Sequence, residues 1–135
     1  MPLTRNMPII DANIILRYLL NDNELLVSAA REILDHDKLE APNEVICEVV
    51  YVLQKNYRVP HDEIARQMRR FCERGNIILS NQLVLFQVLD FFAATNLDFV
   101  DCILAGYAVA GIKIHTLDQK LEHFIQNLIR TIPNA

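Results

Sequence analysis

Four acidic side chains have the chemical type and the placement to share a metal ion. Each stands beside or inside an apolar or small-residue segment: Asp11, Glu48, Asp101 and Asp118. In an open parallel sheet, residues just beyond the carboxyl ends of different strands meet in one crevice. Carboxylates that crowd together repel one another, and a hard divalent cation such as Mg²⁺ or Mn²⁺ removes that repulsion. The sequence therefore predicts a metal site made of these four acids.

Helix capping is the alternative explanation for three of these acids. An aspartate at the start of a helix accepts hydrogen bonds from free N–H groups and suits the helix dipole. This explanation applies equally well to Asp11, Asp101 and Asp118.

Glu48 is harder to explain by capping, because it lies inside a predicted helix. Its helical neighbours are apolar or aromatic: Val45, Val49, Tyr51 and Val52. Burying an unpaired carboxylate costs several kcal/mol or shifts its pKa until the group is neutral. A metal ion or a basic partner is therefore expected beside Glu48.

Three further polar residues accompany the acids. Asp98 lies one helical turn before Asp101 and is expected either to point into the same pocket or to cap the segment. Thr116 lies two residues before the last acid, which on an extended segment places both side chains on one side. Asn13 lies two residues after the first acid, where its amide can orient a carboxylate or a bound water.

The elements that must position these side chains alternate between short strands and helices. Strands are predicted at residues 8–10, 39–42, 77–79, 113–117 and 128–132. Helices are predicted at residues 14–20, 24–37, 43–53 with Asn43 as N-cap, 64–74 ended by Gly75, 81–95, 101–110 ended by Gly111, and 118–127. This alternation predicts an α/β domain of three layers, α/β/α, with a central and mostly parallel sheet.

Composition favours one compact domain over residues 1–135, since 52% of the 135 residues are hydrophobic. No apolar stretch approaches the roughly 20 residues of a membrane span, and the start lacks the apolar region of a secretory signal, so a cytoplasmic protein is expected. Cys47, Cys72 and Cys102 are odd in number and lie in apolar patterns, which favours reduced, packed thiols over disulfides or zinc. The four histidines lack the spacing of metal ligands.

The net charge of −4 argues against a protein that coats nucleic acid with its whole surface. A local exception lies between Lys55 and Arg74, where six basic residues stand against three acidic ones. The arginines of this segment are predicted to share one helix face opposite an apolar stripe: Arg66, Arg69, Arg70 and Arg74. A solvated helix face and a contact surface for a polyanion both agree with this pattern.

Four segments together resemble the PIN domain, and closely the VapC-type toxins of bacterial toxin–antitoxin pairs. They are D-A-N-I-I-L-R-Y-L-L from Asp11, E-V-V-Y-V-L from Glu48, D-F-V-D-C-I-L-A from Asp98, and T-L-D-Q-K-L from Thr116. The segments occur in family order at family-like spacing and span essentially the whole chain. Each is weak alone, but the set is specific.

The resemblance implies a Mg²⁺- or Mn²⁺-dependent endoribonuclease, with an RNA substrate, a homodimeric assembly and a cognate antitoxin protein as partner. The catalytic, metal-binding quartet would be Asp11, Glu48, Asp101 and Asp118, with Asn13, Asp98 and Thr116 at accessory positions. Residues 119–121 read Gln-Lys-Leu where many relatives have a second acid and Phe, a departure that removes no ligand.

Metal ions held by carboxylates can activate water and stabilise the charge of a phosphate, so no Ser, Cys or His nucleophile is required. Asp11 and Asp101 are expected to bind the metal directly, with Glu48 and Asp118 acting through water or a second ion. The residues expected to contact RNA phosphates are Arg17, Arg66, Arg69, Arg70 and Arg74.

Three other functions are compatible with parts of the pattern. A non-catalytic PIN-like scaffold would bind RNA or protein without cleaving, although the intact quartet argues against it. A haloacid dehalogenase-type phosphatase needs an acid two residues after its nucleophile, where this chain has Asn13. A receiver domain needs adjacent acids near its start, and Asp11 has no acidic neighbour in its turn.

Overall fold

The computed structural model describes residues 7–131, and its sheet is small and parallel. Strand β1 (Leu39–Ala41) pairs in parallel with β2 (Ile77–Leu79), with Leu39 opposite Ile77. On its other side β1 is bridged in parallel by Ile9. The predicted strands near residues 8–10, 39–42 and 77–79 are thus confirmed, the first as a single bridge, and β1 lies in the middle.

Seven helices surround this sheet within the described residues. They are α1 (Ala12–Leu20), α2 (Glu24–His36), α3 (Asn43–Lys55), α4 (His61–Cys72), α5 (Gln82–Ala94), α6 (Phe99–Val109) and α7 (Gln119–Thr131). Asn23 and Asn81 fix two of the starts, because their side-chain oxygens accept hydrogen bonds from Leu26 N–H and Val84 N–H, both at 3.1 Å. The predicted α/β class with a parallel sheet is confirmed, with pairs of helices between the strands as predicted.

The core is mostly helical, because the sheet is too small to supply it. Met68, Phe71 and Phe92 are fully or almost fully buried where α4 and α5 pack together. The His61 ring stacks on Phe92 with 3.8 Å between ring centroids, which ties the start of α4 to α5. A smaller apolar cluster lies between α6 and α7, and Phe91 and Phe124 of that region meet edge to face at 5.4 Å.

Two predicted strands are wrong. Residues 113–117 have no regular secondary structure and form no ladder with another described segment, and Ile112 before them is 56% exposed. Residues 128–131 continue α7, because Leu121, Ile125 and Leu128 repeat at helical spacing on the face that packs on α6; residue 132 lies outside the described residues.

Two predicted helix boundaries also need correction. Asn43 is the first residue of α3 and not its N-cap; that position belongs to Pro42, and the Asn43 amide donates to the Tyr107 hydroxyl at 3.3 Å. Helix α4 ends at Cys72, three residues before Gly75. Gly111 does follow α6 as predicted, with φ of +100°.

The cysteines have the packing role that the sequence predicts. Cys72 and Cys102 are buried, Cys47 is half-buried, and all three thiols are free. Burial raises the pKa of Cys72 to about 12 and that of Cys102 to about 11. These thiols are therefore protonated at neutral pH. None of the helices described here has the length and apolar character that a bilayer crossing requires.

Candidate active site

Asp101 lies in the first turn of α6 and is partly buried. Its pKa is raised, first because burial removes water from the carboxylate, and then because the carboxylates of Asp118 and Asp98 repel its charge. The charges of these three carboxylates therefore act on one another.

Among the predicted acids, the Asp118 side chain forms a helix cap, as the alternative explanation predicts. Its Oδ1 accepts a hydrogen bond from Leu121 N–H at 3.1 Å at the start of α7. Its own N–H donates to the Thr116 hydroxyl at 3.0 Å, so Thr116 fixes the main chain that carries the carboxylate. The position next to Asp101 is thus held by two local hydrogen bonds.

Asp11 and Asp98 stand at N-cap positions without forming caps. Asp11 precedes α1 and Asp98 precedes α6, and neither side chain accepts a capping hydrogen bond. A carboxylate at a helix N-terminus is favoured by the helix dipole even without a hydrogen bond. Both side chains therefore keep their oxygens available for a ligand.

Glu48 is exposed, so the prediction that it is buried among apolar neighbours is wrong. Tyr51, one turn further along α3, is itself 61% exposed, which shows that this face of the helix meets solvent. Glu48 and Asp98 line a pocket of about 550 Å³ between α3 and the start of α6, together with Phe99 and Val100. Glu48 thus shares a pocket with Asp98, whereas Asp101 and Asp118 do not line that pocket.

Asp11 and Asn13 lie in a different depression. Both are exposed and line a pocket of about 360 Å³ between α1 and α2, with Arg17 at its edge. Arg17 Nη1 lies 3.3 Å from Asp22 Oδ1. Asp11 follows the bridged segment at the carboxyl end of the sheet, as predicted.

The donor set fits a hard cation in its chemistry. Among residues 7–131 no group of three or more His, Cys, Asp or Glu side chains is close enough to hold a metal ion directly. Mg²⁺ is commonly held by one or two carboxylates, with water and substrate phosphate completing its coordination. Asp98 and Asp101 make no ion pair with any base in this part of the chain, although Lys55 lines the same pocket as Glu48 and Asp98.

The arginines do not share one helix face, contrary to the prediction. Arg69 Nη2 pairs with Asp90 of α5 at 2.7 Å, and Arg74, beyond the end of α4, pairs with Asp35 of α2 at 2.9 Å. Arg66 pairs with Glu63 on its own helix. Arg70 alone among the five predicted RNA-binding arginines has no ion pair with a described residue.

Comparison with protein families gives one match. The model of the PIN domain matches residues 9–125, a span that contains all four predicted quartet positions. Neither the curated proteins nor the solved structures contain a significant match to the chain.

Proposed function

Because the chain belongs to the PIN domain family, whose members are mostly nucleases, we propose that it is a metal-dependent endoribonuclease. One observation carries the proposal: the Asp101 carboxylate is partly desolvated beside Asp98 and Asp118 without a basic partner among the described residues. A cluster of this kind is costly to the fold and is characteristic of a site that receives a cation.

The roles proposed for the four acids are those that the sequence predicts. Asp101 and Asp11 would hold Mg²⁺ or Mn²⁺ directly, and Glu48 and Asp118 would act through water. When bound, the ion neutralises phosphate charge and activates water for attack. Thr116 keeps Asp118 in place through the main chain.

Two accessory residues complete the proposed site. Asp98 adds negative charge at the same helix start as Asp101. Asn13, which is exposed in the first turn of α1, would orient the Asp11 carboxylate or a water bound to it.

We further propose that the protein is the toxin of a toxin–antitoxin pair, that it acts in the cytoplasm as a homodimer, and that a cognate antitoxin protein controls it. Support for this finer assignment is the resemblance of the four segments to VapC-type toxins. We also propose that residues 1–135 form a single PIN domain.

A non-catalytic scaffold is the second candidate. The observation in its favour is that no three acids converge on one point in the described part of the chain. A scaffold of this fold would bind RNA or protein through the same surface without hydrolysing a bond.

The test is cleavage of end-labelled tRNA and ribosomal RNA by the purified protein with Mg²⁺, with Mn²⁺ and with chelator. Asp101→Asn is the test variant and Asp37→Asn is the matched control, because Asp37 is exposed and precedes β1, at the opposite end of the sheet from Asp11. Discrete metal-dependent products, lost with Asp101→Asn and kept with Asp37→Asn, would support the nuclease. RNA that is bound but stays intact in every condition would support the scaffold.

A further inference from the structure

A second polar pocket lies at the opposite end of α1 from Asp11. It has a volume of about 400 Å³ and is formed where the end of α1 meets α2 and α4. Its polar lining includes Asn21, Arg31, Arg66, Gln67 and Arg70, and no acidic residue lines it. Three guanidinium groups therefore border one cavity in a chain whose net charge is −4.

Two of these three arginines have no partner within residues 7–131. Arg66 Nε donates to Glu63 Oε1 at 3.1 Å, which compensates one positive charge. Arg31 and Arg70 are exposed and make no hydrogen bond or ion pair with any residue from 7 to 131. The pocket thus carries two uncompensated positive charges.

This arrangement opposes the stability of α4. Arg66 and Arg70 are four residues apart, so their like charges lie on the same helix face and repel each other. Arg69 and Arg74 show how the same fold treats structural arginines, since each binds a carboxylate and a main-chain carbonyl. An anion between Arg31, Arg66 and Arg70 would remove the repulsion that the fold leaves in place.

The pocket lies where a single RNA strand could contact both its arginines and Asp11. Asn21 ends α1 and Asp11 precedes it, and the nine residues of the helix span roughly 14 Å. Arginine is the side chain best suited to phosphate oxygens, because its planar fork donates two parallel hydrogen bonds. Phosphate contacts fix the register of a nucleic acid on a protein without reading its sequence.

We propose that Arg31, Arg66 and Arg70 form a pocket that binds a backbone phosphate of the RNA strand away from the hydrolysed bond. The inference rests on the proposed function for the identity of the ligand. Arg31 of α2 would thus bind the same phosphate as Arg66 and Arg70 of α4.

The experiment measures binding of a fluorescent single-stranded RNA by the full chain carrying Asp101→Asn, across a range of salt concentrations. Arg31→Gln with Arg70→Gln is compared with Arg58→Gln and Arg130→Gln, an exposed pair outside the pocket that removes the same charge. The pocket variants should weaken binding roughly tenfold and lower the salt slope by about 0.7 for each phosphate that the protein no longer neutralises. Equal effects of the two pairs, or no effect of the pocket pair, would overturn the inference.

A parallel cleavage assay separates this inference from the proposed function. In the chain that keeps Asp101, the pocket variants should raise KM with little change in kcat, because the pocket touches no reacting atom. If RNA stays intact but the pocket pair still binds RNA more weakly, the phosphate pocket stands and the nuclease fails. If cleavage occurs with unchanged KM and affinity, the nuclease stands and the pocket fails. Thermal unfolding of all variants checks that each is folded.

Discussion

At the scale of single residues, the carboxylate of Asp101 is expected to destabilise the fold that holds it. Burial and two neighbouring carboxylates disfavour its charge, and no described base compensates them. Asp101→Asn should therefore raise the Tm by a few degrees, while cleavage falls by at least about 100-fold. Differential scanning calorimetry and the RNA assay measure the two effects on the same preparations.

The dependence of Tm on Mg²⁺ distinguishes a metal site at Asp101 from a general effect of removing one negative charge. The ion should raise the Tm of the wild-type chain in proportion to the logarithm of its concentration, and should leave Asp101→Asn almost unchanged. Asp37→Asn should respond to Mg²⁺ as the wild type does. A Tm that falls with Asp101→Asn, or that responds to Mg²⁺ equally in both variants, would contradict the proposed site.

The three thiols give a second prediction at this scale. Because the pKa of Cys72 is about 12 and that of Cys102 about 11, a thiol reagent at pH 8 should modify neither in the native protein. Cys47 is half-buried and should react first, although burial raises its pKa too. Counting the modified thiols with and without denaturant checks this. Rapid modification of Cys72 in the native protein would show that the reagent reaches the core around it.

Features set by neighbouring residues in the chain were predictable from the sequence, whereas features set by the packing of distant elements were not. The predicted helices at residues 24–37 and 81–95 begin within one residue of α2 and α5, because the caps that set these starts act over only the next three residues of the chain. The exposure of Glu48 depends on which face of α3 other elements cover, and its neighbours along the helix do not contain that information. Arg31 was not predicted as a site residue, because only the packing of α2 beside α4 brings it to Arg66 and Arg70.

At the scale of elements, Gly106 explains how closely α5 and α6 approach. A Cβ added at this residue would lie 2.8 Å from Val88 Cγ2 and 3.3 Å from Val84 Cγ1. The small residues of α6 therefore permit close packing on α5. The predicted α/β/α layering suggests instead that they pack on the sheet. Valine has one strongly preferred rotamer in a helix, so its methyl group cannot turn aside easily.

Gly106→Ala should for that reason destabilise the protein by about 1 kcal/mol. Overpacking costs roughly 1–3 kcal/mol, and the better helix propensity of alanine returns about 1 kcal/mol. Gly75→Ala is the matched control, since no atom lies within 4 Å of its added Cβ, and it should be neutral or slightly stabilising. Urea unfolding measures both, and a more stable Gly106→Ala would show that α5 and α6 can separate at little cost.

The strands were less predictable than the helices, again for a physical reason. Helical periodicity along α4 and α5 is a local property, and both helices were predicted within a few residues of their ends. A strand also needs a neighbour whose N–H and C=O groups bond with it. Residues 113–117 have a strand-like composition but no such neighbour in the described chain, so composition alone was misleading.

At the scale of the whole molecule, the acid pocket is built mainly on helix starts. Asp98 and Asp101 lie at the start of α6 and Asp118 lies at the start of α7, whereas Asp11 follows a segment of the sheet and lines a separate depression. The positive ends of α6 and α7 favour the carboxylates that mutual repulsion disfavours. The relative position of these two helices therefore decides how close the acids approach.

Helix α7 is the weaker of the two supports, and this makes its stability a test of the proposed site. Among its described residues α7 buries only Leu121 and Ile125, whereas α6 buries five residues, and α4 and α5 bury five and four. Amides of residues 119–131 should therefore exchange hydrogen faster than those of α4 and α5. Mg²⁺ should slow exchange in α7 several-fold, because an ion between Asp101 and Asp118 holds the start of α7 against α6. The effect should disappear with Asp101→Asn, and unchanged exchange in the wild-type chain would mean that Asp118 takes no part in holding the ion.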